Sequence, residues 1–296
     1  MDIRNSKPVW LVIVAIALSI VVAFPLAPTT ADRGTRGLAG TIESAIASVA
    51  PSVDGDGTDA VWADATALTV TPGSTDIDIK SVYTATDIYF LATWSDATES
   101  DAKGQWSFNS TSSAWEQAGS DEDRLSFVWN ITATGFNDNG CTVLCHPPDM
   151  RTDVDGELVD TWHWKATRTN PSGWLDDKYF NFTGRQADDA TSGGYSSNTQ
   201  TLNYTDDPAS STDVPFYWEP GATGADAKSI LQSEIDGGEA WNISEVYTNG
   251  TMIDWNATVV DNTTSIPGYY QSVPVGSRGD VAAAGTWSAA TWTLEW

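Results

Sequence analysis

Two cysteines and two histidines are all that this 296-residue chain has of either. It can form one disulfide at most, and a four-ligand structural zinc site would have to use all four residues. Basic residues are scarce too: past Ala31, twelve Lys and Arg stand against thirty-nine Asp and Glu. So acidic a surface repels nucleic acid and anionic lipid, and it favours high salt or a basic protein partner. A Gly-x-Ser-x-Gly element, a His-Glu-x-x-His helix and a phosphate-binding loop are also missing. Catalytic turnover by the chain itself is therefore not expected.

The scarce residues are concentrated. Gly140-Cys141-Thr142-Val143-Leu144-Cys145-His146 holds both thiols and one imidazole, Met150 follows at short range, and the second imidazole lies in Val159-Asp160-Thr161-Trp162-His163-Trp164-Lys165. Two thiols with a histidine beside the second is the arrangement that attaches a c-type haem, each thiol adding to a porphyrin vinyl and His146 serving as the proximal iron ligand. The gap between the cysteines is three residues where two is usual, an insertion that a bulge in the loop absorbs. A small-loop disulfide is the second reading of Cys141 and Cys145. Zinc held by Cys141, Cys145, His146 and His163 is the third, made awkward by the adjacency of Cys145 and His146.

Export is written at the N-terminus. Arg4 and Lys7 precede an uncharged apolar run, Val9 to Phe24, and small residues lead to Ala31. Residues 1–31 thus read as a signal peptide, or as an uncleaved anchor that would be the only membrane contact. Residues 32–52 read as a spacer or short helix, and residues 53–296 as the folded domain, extracellular or at the cell surface. Eight glycosylation sequons agree with export: Asn109, Asn130, Asn181, Asn203, Asn242, Asn249, Asn256 and Asn262. Thirteen Asn in a Ser/Thr-rich chain predict about three by chance.

Fifteen Trp and little helical patterning point to an aromatic-packed, all-β domain. Asp54 to Asp59 is a turn cluster, and Val61-Trp62 and Ala67 to Val70 are short apolar pieces. Ile77 and Ile79 alternate with acids; Ile88, Phe90, Ala92 and Trp94 share a face, as do Leu125, Phe127, Trp129 and Ile131. Asn130 then faces away, and Phe180-Asn181-Phe182 repeats the pattern of apolar residues inward and a sequon outward.

Asp54-Gly55, Asp59 to Trp62 and Val82 to Ala92 resemble the opening of the β-sandwiches shared by family 9 carbohydrate-binding modules and DOMON-type haem domains. Gly140 to His146, Met150, Val159 to Ala166 and Gly173 to Asp177 resemble, more narrowly, the haem-binding domain family typified by the haem subunit of ethylbenzene dehydrogenase, and Trp287 to Trp296 is similar to its last strand. The resemblance implies a jelly-roll-like antiparallel sandwich, with long loops carrying one haem, that passes electrons to or from a redox partner such as a molybdenum oxidoreductase or other cytochromes. It also implies a b-type haem with Met and Lys as axial ligands. Cys141, Cys145 and His146 depart from that pattern toward covalent attachment and a His ligand.

Reach orders the distal ligands. Four extended residues span about 13 to 14 Å, so Met150 could face His146 across an iron only with the chain fully stretched. His163 has seventeen residues and an Asp155-Gly156 turn in which to return over the other haem face. The preferred distal ligand is His163, then Met150, then Lys165. His163 and Lys165 share one strand face; Trp162 and Trp164 occupy the other and are expected to flank the cofactor.

Asp54, Asp56 and Asp59 read first as an acidic turn and secondarily as calcium ligands, as do Asp176 and Asp177. Two further functions compete with electron transfer: a glycan-binding module using exposed Trp as sugar platforms, and a glycosylated surface or filament protein that self-assembles.

Overall fold

The computed structural model describes residues 40–109, 111–112, 114–146, 149–203, 211–218, 228–242 and 265–296. The apolar segment 1–31 and the sequons at Asn249, Asn256 and Asn262 lie outside the described residues, as do the side chains of Asn203 and Asn242. Among the described residues no helix is long and apolar enough to cross a membrane.

In chain order the strands are β1 Ala45–Ile46, β2 Leu68–Val70, β3 Ile77–Tyr83, β4 Ile88–Ser95, β5 Trp106–Asn109, β6 Ala114–Gln117 and β7 Arg124–Asn130. A short helix, α1 Phe136–Asn139, and the 3-10 turn Gly140–Leu144 lead to β8 Cys145–His146, β9 Asp149–Met150, β10 Val159–Lys165, β11 Asp176–Asn181 and β12 Gly184–Ala187. Then follow β13 Ala190–Ser197, β14 Gln200–Asn203, β15 Ser211–Val214, β16 Tyr217–Trp218, β17 Ile230–Leu231, β18 Trp241–Asn242, β19 Ser265–Ile266, β20 Tyr269–Gly276, β21 Ala284–Ser288 and β22 Thr291–Glu295.

One sheet runs β1-β3-β4-β22-β21 with β2 added on β3, and a second runs β12-β11-β10-β7. They pack face to face because each buries one side of its alternation. The first turns Ile77, Ile79, Phe90, Ala92, Trp94, Trp292 and Leu294 inward; the second answers with Leu125, Phe127 and Trp164. The rings interlock: Phe127 lies 4.4 Å from Trp296, centroid to centroid. The all-β class expected from the sequence is what forms: among the described residues short helices are few and no sheet is closed on itself.

Where the alternation was carried past a strand end, the structure differs. Ile88 is exposed at the first residue of β4, Ile131 just past β7 and Phe182 just past β11. The two sequon asparagines end their strands: Asn130 Oδ1 accepts the Ala133 amide at 2.8 Å and Asn181 Oδ1 the Thr183 amide at 2.9 Å. Each turns the chain, so the next apolar residue falls outside the sandwich. Val61 and Trp62 lie in a 3-10 turn rather than a strand. The described part of the expected spacer is not a helix either: Ala45–Ile46 pairs in parallel with Val82–Tyr83, and Ile42 and Ala47 beside it are buried.

Candidate functional site

Strand β10 is central to the second sheet, with β7 on one side and β11 on the other. Its even residues, Trp162 and Trp164, face the sandwich interior; its odd residues, Val159, Thr161, His163 and Lys165, face outward. Register carries the same division across the sheet. Val159 stands between Asn130 and Phe180, Thr161 between Val128 and Lys178, and His163 between Ser126 and Asp176.

The Val159 end of this outer face is apolar and covered by the cysteine segment. Val128, Val159 and Phe180 are buried together with Ala133, Phe136 and Leu144, and Cys141, Val143 and Met150 pack against them. The 3-10 turn sets Cys141 and Cys145 one turn apart, with the Cys145 thiol 3.8 Å from the Cys141 carbonyl, and no disulfide joins them. His146 Nε2 lies 2.9 Å from the Val143 carbonyl and 3.5 Å from Asp153. Strands β8 and β9 form a tight hairpin that places Met150 opposite Cys145 and Asp149 opposite His146. The chain is thus folded back where a Met150 ligand opposite His146 needs it stretched.

The Lys165 end is charged and buried. Asp176, wholly buried, is bonded to Lys165, Lys178, Arg278 at 2.8 Å and the Tyr195 hydroxyl at 2.9 Å. Burial alone would raise the Asp176 carboxyl, but the charges of Lys165 and Lys178 outweigh it and hold the group well below the usual carboxylate range. Burial is the main cause that brings Lys165 down to about 7, against the pull of Asp176. Tyr195 is pushed up to about 12 by burial and by Asp176. A second pair, half-buried Arg168 with buried Glu122 at 2.5 Å, stands beside the Tyr195 ring.

His163 sits between these two ends. It is half-buried, and burial together with the Lys165 charge lowers its pKa well below the usual imidazole value, so the ring is neutral. Neither ring nitrogen makes a hydrogen bond among the described residues.

The structure therefore brings Cys141, Met150, His163 and Lys165 to one face of one sheet, while Cys145 is exposed and His146 is held by Val143 and Asp153 in the covering segment. Trp162 and Trp164, expected to flank the cofactor, are on the other face. Trp164 is wholly buried in the core, and Trp162 packs against it beside Trp129 at 4.9 Å. Asp176 and Asp177 are not a ligand pair, because neighbours on a strand face opposite ways. Asp59 also leaves its expected group: its carboxylate accepts the Ser52 amide, while buried Glu295 joins Asp54 and Asp56, all within 4.8 Å. Glu295 is committed to the fold, accepting from Trp62 Nε1 at 2.8 Å and from the Gly55 amide at 2.8 Å. The cations around Asp176 were legible in part: the alternation that puts Lys165 with His163 also puts Lys178 with Asp176, but nothing local announces Arg278, Arg168 or Tyr195.

Donor chemistry on this face fits a covalently held haem: two thiols not joined to each other, an unpartnered neutral imidazole, and apolar walls from Val128, Val159 and Phe180. A comparison with curated proteins returned no match. Among protein families, residues 53–296 match the one described as ethylbenzene dehydrogenase, a span that takes in every strand from β2 onward and the whole of this face, and the chain belongs to that family.

Proposed function

We propose that this chain is an exported electron-transfer subunit that carries one haem c on the outer face of β10, in a jelly-roll-like sandwich, and serves an oxidoreductase or a chain of cytochromes. The observation that carries the reading is the neutral, unpartnered His163 on the very face that the thiol segment covers.

In this reading Cys141 and Cys145 would form the thioethers, and His146, on leaving its contact with Val143, and His163 would hold the iron. The bound haem supplies one-electron chemistry. The chain contributes burial that keeps His163 unprotonated, apolar side chains that exclude water, and nearby cations, Lys165 and Lys178, that favour the reduced, more negative state. Met150 and Lys165 are the alternative pair. Lys165, with a pKa near 7, offers a neutral amine in part of the population, but only by leaving Asp176. Export and the glycans rest on the N-terminal pattern and the sequons. The glycan-binding alternative loses its premise among the described side chains, where no Trp is exposed.

The test is the visible spectrum of purified protein in alkaline pyridine with dithionite, before and after acid-acetone extraction, following expression with haem-attachment machinery. Haem that stays with the protein, and is lost or becomes extractable in Cys141→Ser and Cys145→Ser, is expected; His163→Ala should then alter the spectrum more than Met150→Ala. Extractable haem in the wild type would replace this arrangement with the non-covalent one on Met150 and Lys165. Protein without haem would overturn the reading.

A further inference from the structure

Four of the fourteen Lys and Arg in this strongly acidic chain gather around one ring. Lys165, Arg168, Lys178 and Arg278 lie 4.8, 4.9, 5.6 and 5.7 Å from the centre of Tyr195. They come from four places in the fold: β10, the loop after it, β11 and the turn after β20. Two carboxylates answer them, Asp176 shared by Lys165, Lys178 and Arg278, and Glu122 taking Arg168. Among the described residues no other acid makes an ion pair with any of the four. Two positive charges are therefore left over where Lys165 and Lys178 are buried, a state that is costly unless an anion joins it.

A second observation is independent of the charge count. Trp174 is wholly buried, its ring stacks on Tyr195 at 6.3 Å and lies 5.8 Å from the Arg278 guanidinium, yet its Nε1 has no hydrogen-bond partner. Lys165, also buried, spends only one of its three N–H donors, on Asp176. Buried donors are ordinarily satisfied, so this cluster is short of acceptors that carry negative charge. Resting on the haem reading above, we propose that the cluster is the seat of the haem propionates: Lys165, Lys178 and Arg278, with Trp174 Nε1, hold the two carboxylates.

The layout of the face agrees. A haem carries its vinyl groups on one edge and its propionates on the opposite one. The outer face of β10 is divided in the same way, apolar at Val159 where Cys141 packs and cationic at Lys165, with His163 between them. Two carboxylates match the surplus of two charges, and bonds between ionised partners are the strong class of hydrogen bond. Asp176 acts as the brace that keeps the three cations together. Arg278, on the turn Ser277–Gly279, keeps 17% of its side chain exposed and marks the open side of the cluster.

The test is a Soret titration of the full chain, made without haem-attachment machinery and with its thiols kept reduced. The two probes are haemin and haemin dimethyl ester, which has the same ring and iron but no free carboxylate. The wild type is expected to bind haemin about tenfold or more tighter than the ester, the worth of a hydrogen bond between charged groups. Lys178→Met leaves Asp176 with Lys165 and Arg278, and Arg278→Gln leaves it with the two lysines, so both are expected to fold, which circular dichroism checks. Each should weaken haemin by about tenfold and leave the ester unchanged. Variants that melt earlier but keep the wild-type ratio of haemin to ester would make the cluster a brace of the fold alone and overturn the proposal. Equal binding of the two probes by the wild type, a comparison that needs no variant, would overturn it and leave the haem reading standing. Binding of neither would overturn both.

Discussion

Trp164 meets Trp292 edge-on across the sandwich interior, with 5.0 Å between ring centroids. Trp94 approaches Trp164 at 6.1 Å, again edge-on, so one ring of the second sheet is held by two of the first. Truncating it leaves a cavity that three rigid strands cannot close. Trp164→Ala is expected to cost about 3 to 5 kcal/mol. The same contact leaves no space on β21, where a Cβ on Gly285 would stand 2.6 Å from the Trp164 ring. Gly285→Ala is expected to cost about 1 to 3 kcal/mol by overpacking. Denaturant midpoints at constant m-value measure both, and a wild-type midpoint for Trp164→Ala would remove this ring from the core.

That ring also marks how far the sequence could be read. Period-two alternation found β3, β4 and β7 and correctly divided His163 and Lys165 from Trp162 and Trp164, because alternation is a property of the strand itself. It did not say which face of β10 meets the other sheet, since that depends on partners more than a hundred residues away. The same distance hid Glu295 from Asp54 and Arg278 from Asp176. Strand ends failed for a local reason: Asn130 and Asn181 were read as carriers of glycans, while their side-chain oxygens also close turns that end the alternation. The cysteine segment was legible as chemistry but not as position, and only the fold puts it over Val159.

Asp176 anchors three cations, and its loss strands all of them. Asp176→Asn leaves Lys165, Lys178 and Arg278 buried around a neutral amide, which is expected to cost about 3 to 5 kcal/mol. The wild-type contribution has a definite pH sense. Asp176 has a folded-state pKa below its unfolded one, so its stabilisation is complete above the ordinary carboxylate pKa and is lost as acid is added below it. Acid unfolding followed by tryptophan fluorescence should therefore show a flatter profile in Asp176→Asn than in the wild type across that range. Equal slopes would mean that the cations find other partners.

The three sequon asparagines with described side chains differ in what their amide nitrogens do. Asn109 Nδ2 donates to Glu116 at 2.9 Å and Asn130 Nδ2 to Asn137 at 3.3 Å. In Asn181 only Oδ1 is engaged, accepting from the Thr183 amide and hydroxyl, and Nδ2 makes no hydrogen bond among the described residues. Attaching a sugar to Nδ2 displaces a bond at the first two sites and none at Asn181. Glycopeptide mapping of protein from an exporting, glycosylating host should find Asn181 at the highest occupancy of the three. Asn130 occupied ahead of Asn181 would contradict this ordering.

Asp177 should make stability depend on pH in the opposite sense to Asp176. Its carboxyl is raised to about 8 by burial and then by Asp160, from the 3.8 of a free side chain. Between those values the folded state holds a proton that the unfolded state has released. The stability from the protonated form is complete below about pH 4 and is lost progressively until pH 8, with each unit of that window worth up to about 1.4 kcal/mol. Asp177→Asn keeps the shape and removes the titration. The variant should match the wild type near pH 4 and exceed it near pH 8 by on the order of a few kcal/mol, read from urea midpoints at the two pH values. A difference that does not grow with pH would show that Asp177 is ionised in the folded chain, with its charge met by some group other than Asp160, Asp188 and Asp280.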